Sequence, residues 1–210
     1  MPSISALWMD RSGRFSLLKL SFLIFVVTPG LWLLIQLLSG QLYPLPEKII
    51  IRESGLWAIR LLMLSLLISP LRKILYWPQL IVVRRMIGVS ALIYTSIHIL
   101  AWGADLSYEW TFIEKEIFSR FYLLIGMIAF LLLLPLGITS TDNMLRHIGA
   151  KNWKRLHKLI YLVGIFAILH FYLLLEKLST PEAQILVGLF IWMMGWRLLI
   201  FFNPVKIATT

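Results

Sequence analysis

Histidine is scarce in this chain of 210 residues: there are four, and three of them lie in or beside long apolar segments. These three are His98, His157 and His170, whereas His147 lies in a basic segment. An ionisable side chain inside a bilayer is costly, so it usually faces the interior of a helix bundle and serves a function. Imidazole is also the commonest side-chain ligand of transition metals and a ligand of haem iron. The histidines therefore indicate a haem or metal site within a membrane.

The composition indicates a membrane protein. Of the residues, 60% are hydrophobic and 14% are charged, whereas a soluble domain has about 45–50% apolar and about 25% charged residues. Cysteine is absent, which excludes cysteine-ligated iron–sulfur clusters and covalent c-type haem. Any haem is therefore expected to be b-type, held without a covalent link. The net charge of +10 comes from cations between apolar segments, so we expect no nucleic-acid binding.

Six apolar segments approach or reach the length of about 20 residues that a membrane-spanning helix needs. We therefore predict an all-α fold, a polytopic bundle of six transmembrane helices that forms a single domain. The predicted spans are 17–38, 56–71, 86–104, 121–138, 159–175 and 185–202. The connections between them are too short for a soluble nucleotide-binding domain, so any redox donor or acceptor is expected to be a separate molecule.

Lysine and arginine are concentrated on one side of the predicted bundle. This side holds Arg11, Arg14, Lys19, Arg72, Lys73, Arg84, Arg85, Arg146, Lys151, Lys154, Arg155, Lys158 and Lys206. The other connections hold fewer: Lys48, Arg52, Lys115, Arg120 and Lys177. Because cytoplasmic loops of membrane proteins are enriched in lysine and arginine, we predict that both termini are cytoplasmic.

Two of the histidines are predicted to lie at the same depth. His98 follows Arg85 by 13 residues and His170 follows Lys158 by 12, which corresponds to about 20 Å and about 18 Å along outward-running helices. A haem iron with two imidazole ligands needs both nitrogens at one depth, so this pair suits haem. The alternatives are two unrelated buried histidines, a zinc site or a proton relay, although the spans contain no carboxylate to complete a relay.

A second site near the cytoplasmic side is a weaker prediction. His157 lies near that boundary, and it is about 140° around an ideal helix from His170. Arg84 and Arg85, not a histidine, stand at the matching depth of the third span. His147 is the remaining candidate for a second ligand of an inner haem.

Cations supply the other candidate site residues. Arg60, inside the second span, suits either a haem propionate or a snorkelling or carbonyl contact. Arg84, Arg85, Arg155 and Lys158 could together hold an anionic cofactor such as a flavin phosphate. The ordinary alternative, which we favour, is that these four residues are positive-inside anchors.

Two stretches resemble the YedZ/MsrQ family, the haem-binding membrane subunits of the periplasmic methionine sulfoxide reductase system. The first is SPLRKILYWPQLIVVRRMIGVSALIYTSIHI, Ser69–Ile99. The second is LGITSTDNMLRHIGAKNWKRLHKLIYLVGIFAILHFY, Leu136–Tyr172. The family belongs to the ferric-reductase-like transmembrane group, in which histidines of the third and fifth helices carry b haems.

The resemblance implies that His98, His157 and His170 are haem ligands, for one or two haems. The third span has only one histidine, whereas ferric reductases have two there, and this puts a second haem in doubt. The resemblance also implies FMN as a further cofactor and a location in the bacterial inner membrane. Electrons would come from the quinone pool or a cytosolic flavin reductase and reach a periplasmic molybdopterin enzyme that reduces methionine sulfoxide.

Two other classes of function fit the sequence less well. A membrane transporter or channel without haem is one alternative, and its only hints are Pro29-Gly30 in the first span and Arg60 in the second. A structural membrane anchor is the other, and it requires that all three histidines are dispensable.

Overall fold

A computed structural model describes residues 15–174 and 180–202, and these ranges are mainly helical. The helices are α1 Leu17–Leu38, α2 Pro46–Ile74, α3 Ile81–Asp105, α4 Trp110–Ser119, α5 Phe121–Ile138, α6 Asp142–Ile148, α7 Ala150–Leu156, α8 Leu159–Leu173 and α9 Pro181–Phe202. A 3₁₀ turn, Pro78–Leu80, leads directly into α3. Part of the predicted orientation rests on four cations that lie outside the described residues: Arg11, Arg14, Lys177 and Lys206.

Six stretches are long and apolar enough to cross a membrane: α1, α2, the 3₁₀ turn with α3, α5, α7 with α8, and α9. The prediction of an all-α bundle with six transmembrane helices is therefore confirmed. The second span is longer than its predicted range of 56–71, since α2 begins at Pro46 and ends at Ile74. The predicted end of the fifth span, residue 175, lies outside the described residues.

Helix α4 was not anticipated from the sequence. It has 10 residues, too few to cross a bilayer, and it joins α3 to α5. Trp110, Phe112 and Phe118 are exposed on it beside charged residues such as Glu114. Aromatic side chains mixed with charges are typical of the membrane–water interface, where such a helix lies along the surface.

The bundle is organised as two helix pairs. Helix α2 packs along α3, and α5 packs along α8, more extensively than any other helices in the described ranges. Fully buried side chains of α2 and α3, including Leu61, Met63 and Ile87, belong to the core of the bundle. The two pairs contact each other much less than the helices within each pair do.

A proline in α2 determines how α9 is attached. Pro70 has no backbone N–H, so the carbonyl of Leu66, one turn earlier, loses its usual helical donor. Arg197 of α9 replaces that donor: its Nη2 donates to Leu66 O at 2.5 Å, and its Nη1 donates to Met193 O at 3.0 Å. Within a bilayer such a carbonyl must be satisfied by protein, so this arginine has a structural role.

Helix α1 is attached through a tyrosine of α3. The Tyr94 hydroxyl donates to Val26 O at 2.9 Å, close to Pro29 inside α1. A Cβ on Gly30 would lie 3.0 Å from that hydroxyl oxygen, so the glycine leaves the space that the phenol occupies. The Pro29-Gly30 pair therefore has a packing role.

We expect Arg197→Met to lower the free energy of unfolding by about 1–3 kcal/mol, since the Leu66 carbonyl loses its donor. In a Pro70→Ala background the cost should be smaller, because the substituted alanine supplies a backbone N–H to that carbonyl. Thermal unfolding in detergent, followed by circular dichroism over the four-variant cycle, measures the difference. Equal costs in both backgrounds would show that Arg197 does not act through this carbonyl.

Candidate functional site

His98 and His170 face each other in the bundle. His98 lies seven residues before the end of α3, and His170 lies in the last turn of α8. Their ring centroids are 6.3 Å apart, with the ring planes at 82°. Each helix pair thus contributes one imidazole, and the two imidazoles lie at the same depth in the bundle.

Both rings donate a hydrogen bond to the backbone of the partner helix. His98 Nδ1 lies 2.8 Å from Ile51 O of α2, and His170 Nδ1 lies 2.7 Å from Tyr122 O of α5. A carbonyl oxygen only accepts, so the proton is on Nδ1 and the lone pair of each neutral ring is on Nε2. A backbone carbonyl on one ring nitrogen is the usual partner of a histidine that binds a metal through the other.

A glycine brings each ring against the neighbouring helix. A Cβ on Gly55 would lie 2.8 Å from His98 Nδ1, and one on Gly126 would lie 2.6 Å from His170 Nδ1. In both helices the glycine follows the accepting carbonyl by one turn, as Ile51–Gly55 in α2 and Tyr122–Gly126 in α5. Any larger residue would push the imidazole away from its carbonyl.

Gly55 and the two carbonyl residues were missed in the sequence analysis, because a backbone acceptor has no side-chain signature. The available signal was a glycine within each of two apolar spans. Glycines in apolar spans also occur at ordinary helix contacts, so this signal alone does not identify the site. Gly164 lies at such an ordinary contact: a Cβ added to it would lie 2.8 Å from the Phe190 ring.

The geometry of the histidine pair fits a haem iron. A nitrogen–metal bond of an imidazole is about 2 Å long, as it is with zinc. Two such bonds and the radii of the two rings add up to about the observed distance between the ring centroids. Two imidazoles are an incomplete set for zinc, which takes about four ligands. They would suffice for haem iron, whose other ligands come from the macrocycle.

His157 lies at the opposite end of α8 from His170, between α7 and α8. Its ring stacks on Trp153 at 3.7 Å, and its Nδ1 lies 3.1 Å from Trp153 O. Its Nε2 lies 3.4 Å from the Ser140 hydroxyl. Trp153 is held in turn by Thr139 O, to which its Nε1 donates at 2.9 Å. His147 lies in the last turn of α6, a separate short helix.

The predicted cationic residues have different partners. Arg60 forms an ion pair of 2.6 Å with Glu182 of α9 and lies over the Trp57 ring. Arg85 pairs with Asp142 at 2.6 Å. The partner of Arg60 is thus the carboxylate of Glu182, which is distant in sequence. Neither predicted role of Arg60, the propionate contact or the snorkelling or carbonyl contact, included it.

Arg84 lines a small open pocket at the end of the bundle where α3 and α8 begin. Its other lining residues are Trp153, Lys154, His157, Lys158 and Tyr161. Of the four cations grouped in the sequence analysis, the structure brings Arg84 and Lys158 together. Lys154 joins them, whereas Arg85 is engaged by Asp142 and Arg155 is exposed.

The chain is similar in sequence to known membrane proteins. Residues 54–168 match the family model described as ferric reductase like transmembrane component. Over 170 residues, or 80% of each chain, the chain is 38% identical to the protein-methionine-sulfoxide reductase heme-binding subunit MsrQ of Caulobacter vibrioides. It is 42% identical over 167 residues to the protein of that name from Xanthomonas campestris, which covers 79% of this chain and 76% of the relative. The chain belongs to the MsrQ family. No solved structure matches it.

The family match begins one residue before Gly55 and ends two residues before His170. It therefore covers most of the two helix pairs that position the rings in this MsrQ family member, whereas Ile51 and His170 themselves lie outside it. Helices α1 and α9 lie entirely outside the matched range.

We expect Gly126→Ala to lower the free energy of unfolding by about 1–3 kcal/mol, because the added methyl group overpacks the contact with His170. Gly188→Ala in α9 is the matched control, since nothing lies within 4 Å of its Cβ position. The control should be neutral or gain up to about 1 kcal/mol of helix propensity. Thermal unfolding of both variants in the same detergent makes the comparison, and equal shifts would argue against the close contact.

Proposed function

We propose that this chain carries electrons across a membrane through a b-type haem held between Nε2 of His98 and Nε2 of His170. The observation that carries the proposal is the pair of facing imidazoles, each with its Nδ1 proton fixed by a backbone carbonyl. Haem iron, when bound, takes up and releases single electrons. The relatives named heme-binding subunits support the same cofactor.

The residues around the rings orient the two ligands. The carbonyls of Ile51 and Tyr122 fix each tautomer and raise the basicity of each Nε2, as such partners do at metal sites. Gly55 and Gly126 hold the rings close to the backbone, so their positions are set by two rigid helices. This preorganisation suits a site that changes oxidation state with little movement.

The proposed partners follow from the family and from the charge distribution. The basic end of the bundle, with Arg84, Arg85, Lys154 and Lys158, is proposed to face the cytoplasm of a bacterium, across its inner membrane. The haem between His98 and His170 then lies near the periplasmic side. The electron acceptor would be a periplasmic molybdopterin enzyme that reduces methionine sulfoxide in proteins. The donor would be the quinone pool or a cytosolic flavin reductase.

Two finer proposals concern the basic end. His157 is proposed as a ligand of an inner haem, with His147 as the candidate second ligand. FMN is proposed to bind with its phosphate at the pocket of Arg84, Lys154 and Lys158, beside Trp153. Both rest on the family resemblance and on the three cations that line this pocket.

The transporter alternative loses the two features that suggested it. Pro29-Gly30 seats the Tyr94 hydroxyl against α1, and Arg60 is paired with Glu182. Both features have structural partners, so neither requires a path for a solute.

We expect His98→Ala and His170→Ala to lose most of the bound haem, because each would remove one of the two imidazoles proposed to hold the iron. The measurement is the oxidised and dithionite-reduced absorption spectrum of detergent-purified protein, with haem quantified per polypeptide. Leu100→Ala, an exposed position two residues after His98, is the control and should retain the reduced α-band. A colourless wild type, prepared with abundant haem, would overturn the proposal.

The same spectra test the inner haem. If His157 holds a second haem, the wild type contains two per polypeptide and His157→Ala contains one. One haem per polypeptide in both proteins would remove His157 from the ligand set without affecting the outer pair.

Labelling of single cysteines tests the proposed orientation, and the chain is suited to it because it has no native cysteine. We expect an impermeant maleimide to label Lys115→Cys, in α4, from the periplasmic side of intact spheroplasts. Asn152→Cys, in α7, should react only after the membrane is opened. Both positions are exposed, so the reverse pattern would show that the basic end faces outward.

A further inference from the structure

Tyr122 contacts His170 in two ways. Its backbone carbonyl accepts the hydrogen bond from His170 Nδ1 at 2.7 Å. Its own ring lies beside that imidazole, with the two ring centroids 5.9 Å apart and the ring planes tilted by 41°. Because Tyr122 is the second residue of α5, this double contact lies at the end of the membrane span.

The hydroxyl of Tyr122 is held by a charged pair. Arg120 Nη1 donates to the Tyr122 hydroxyl oxygen at 3.4 Å. The same guanidinium pairs with Glu116 of α4 at two points, with Nε 2.7 Å from Oε2 and Nη2 3.2 Å from Oε1. The side chains of Arg120 and Glu116 are 53% and 30% exposed. Because charges are costly inside a bilayer, this pair lies at the water boundary.

Arg120 also joins the two helices. It is the single residue between the end of α4 at Ser119 and the start of α5 at Phe121, and its backbone is extended. Its N–H donates to Glu116 O at 3.1 Å, so its backbone and its guanidinium both bind the same residue of α4. The position of the charged pair relative to His170 is therefore set by two helices.

The carbonyl residue on the His98 side is different. His98 is held by the carbonyl of Ile51, whose side chain is aliphatic. An ion pair follows it directly in α2, where Arg52 donates to Glu53 Oε1 through Nε at 3.1 Å and through Nη2 at 2.9 Å. Each side of the centre thus has an arginine–glutamate pair, and the residue that supplies the carbonyl is aromatic only at His170.

We infer that electrons leave the histidine centre through Tyr122 and are taken up by a water-soluble acceptor beside Arg120. The inference rests on the proposed function, because it needs a haem between the two imidazoles. One electron passes from ferrous haem iron to the acceptor, so the iron is oxidised, the acceptor is reduced by one electron and no bond forms or breaks. Electron tunnelling slows steeply with distance. A conjugated ring between the imidazole and the water boundary therefore shortens the gap that the electron crosses.

The place of exit is tested with two small oxidants of opposite charge, ferricyanide and pentaamminepyridineruthenium(III). Each is mixed by stopped flow with the haem-loaded full chain, reduced and desalted, at an ionic strength of about 0.15 M. Under these conditions a charge acts over about 8 Å, so only groups near the point of approach alter the rates. Glu116→Gln removes a negative charge beside Arg120. We expect it to speed oxidation by the anion and to slow oxidation by the cation, each about threefold.

Glu53→Gln is the matched control, since it breaks the corresponding ion pair, with Arg52, on the His98 side. We expect it to leave the ratio of the two oxidation rates unchanged. A change in the haem potential would shift both rates in the same direction, so the ratio reports the charge at the point of approach. An unchanged ratio in Glu116→Gln, or an equal or larger change in Glu53→Gln, would overturn the inference.

The role of the ring is tested by Tyr122→Leu and Tyr122→Phe, both of which keep the backbone carbonyl. We expect the leucine variant to slow oxidation by both probes about tenfold and the phenylalanine variant, which keeps the ring, to stay within about twofold of the wild type. Tyr172→Leu is the control, because this exposed tyrosine lies two residues after His170 and so on the opposite face of α8.

Potentiometric titration of the haem separates an exit route from an effect on the potential. We expect Tyr122→Leu to keep the midpoint potential of the wild type, because the ring does not bind the iron. An unchanged oxidation rate in Tyr122→Leu, or a raised midpoint potential that accounts for the slower rate, would overturn the role of the ring.

The two proposals fail in different ways. A wild type that binds no haem overturns the electron-transfer function and the exit together. A wild type that binds haem, and whose oxidation rates do not respond to Glu116→Gln or Tyr122→Leu, overturns the exit alone and leaves the proposed function intact.

Discussion

The hydrogen bond from each imidazole to the backbone of the neighbouring helix sets the geometry of the whole centre. A polar ring inside a bilayer needs a partner, and water is not available to supply one. Here the partners are the carbonyls of Ile51 and Tyr122, which already lie within α2 and α5. This contact forms only where a glycine one turn later lets the ring approach, so Gly55 and Gly126 are as necessary as the histidines.

A feature of the fold or of the site could be predicted only where it leaves a pattern in the residue types along the chain. Apolar length identified six spans, and counting residues along helices placed His98 and His170 at one depth. The partner of Arg60 is Glu182, on a helix far along the chain, and sequence spacing carries no information about that contact. The role of Gly55 was missed for a similar reason, since a backbone carbonyl is present at every position of a helix.

At the basic end of the bundle, the segment 139–142 between α5 and α6 makes several directed contacts. Thr139, Ser140 and Asp142 contact Trp153, His157 and Arg85, respectively. One short segment thus connects the ends of α3, α7 and α8. Membrane anchoring alone would not require these directed contacts.

The division into two helix pairs has a consequence for how the protein matures. His98 is fixed within the α2–α3 pair and His170 within the α5–α8 pair, and the pairs contact each other sparingly. A prosthetic group ligated by both rings would link the two halves of the bundle, that is, the two helix pairs. Ligand binding to the native state adds stability that grows with occupancy. Haem supply during biogenesis would then control how tightly the halves close, and quality-control proteases would meet a looser substrate when haem is scarce.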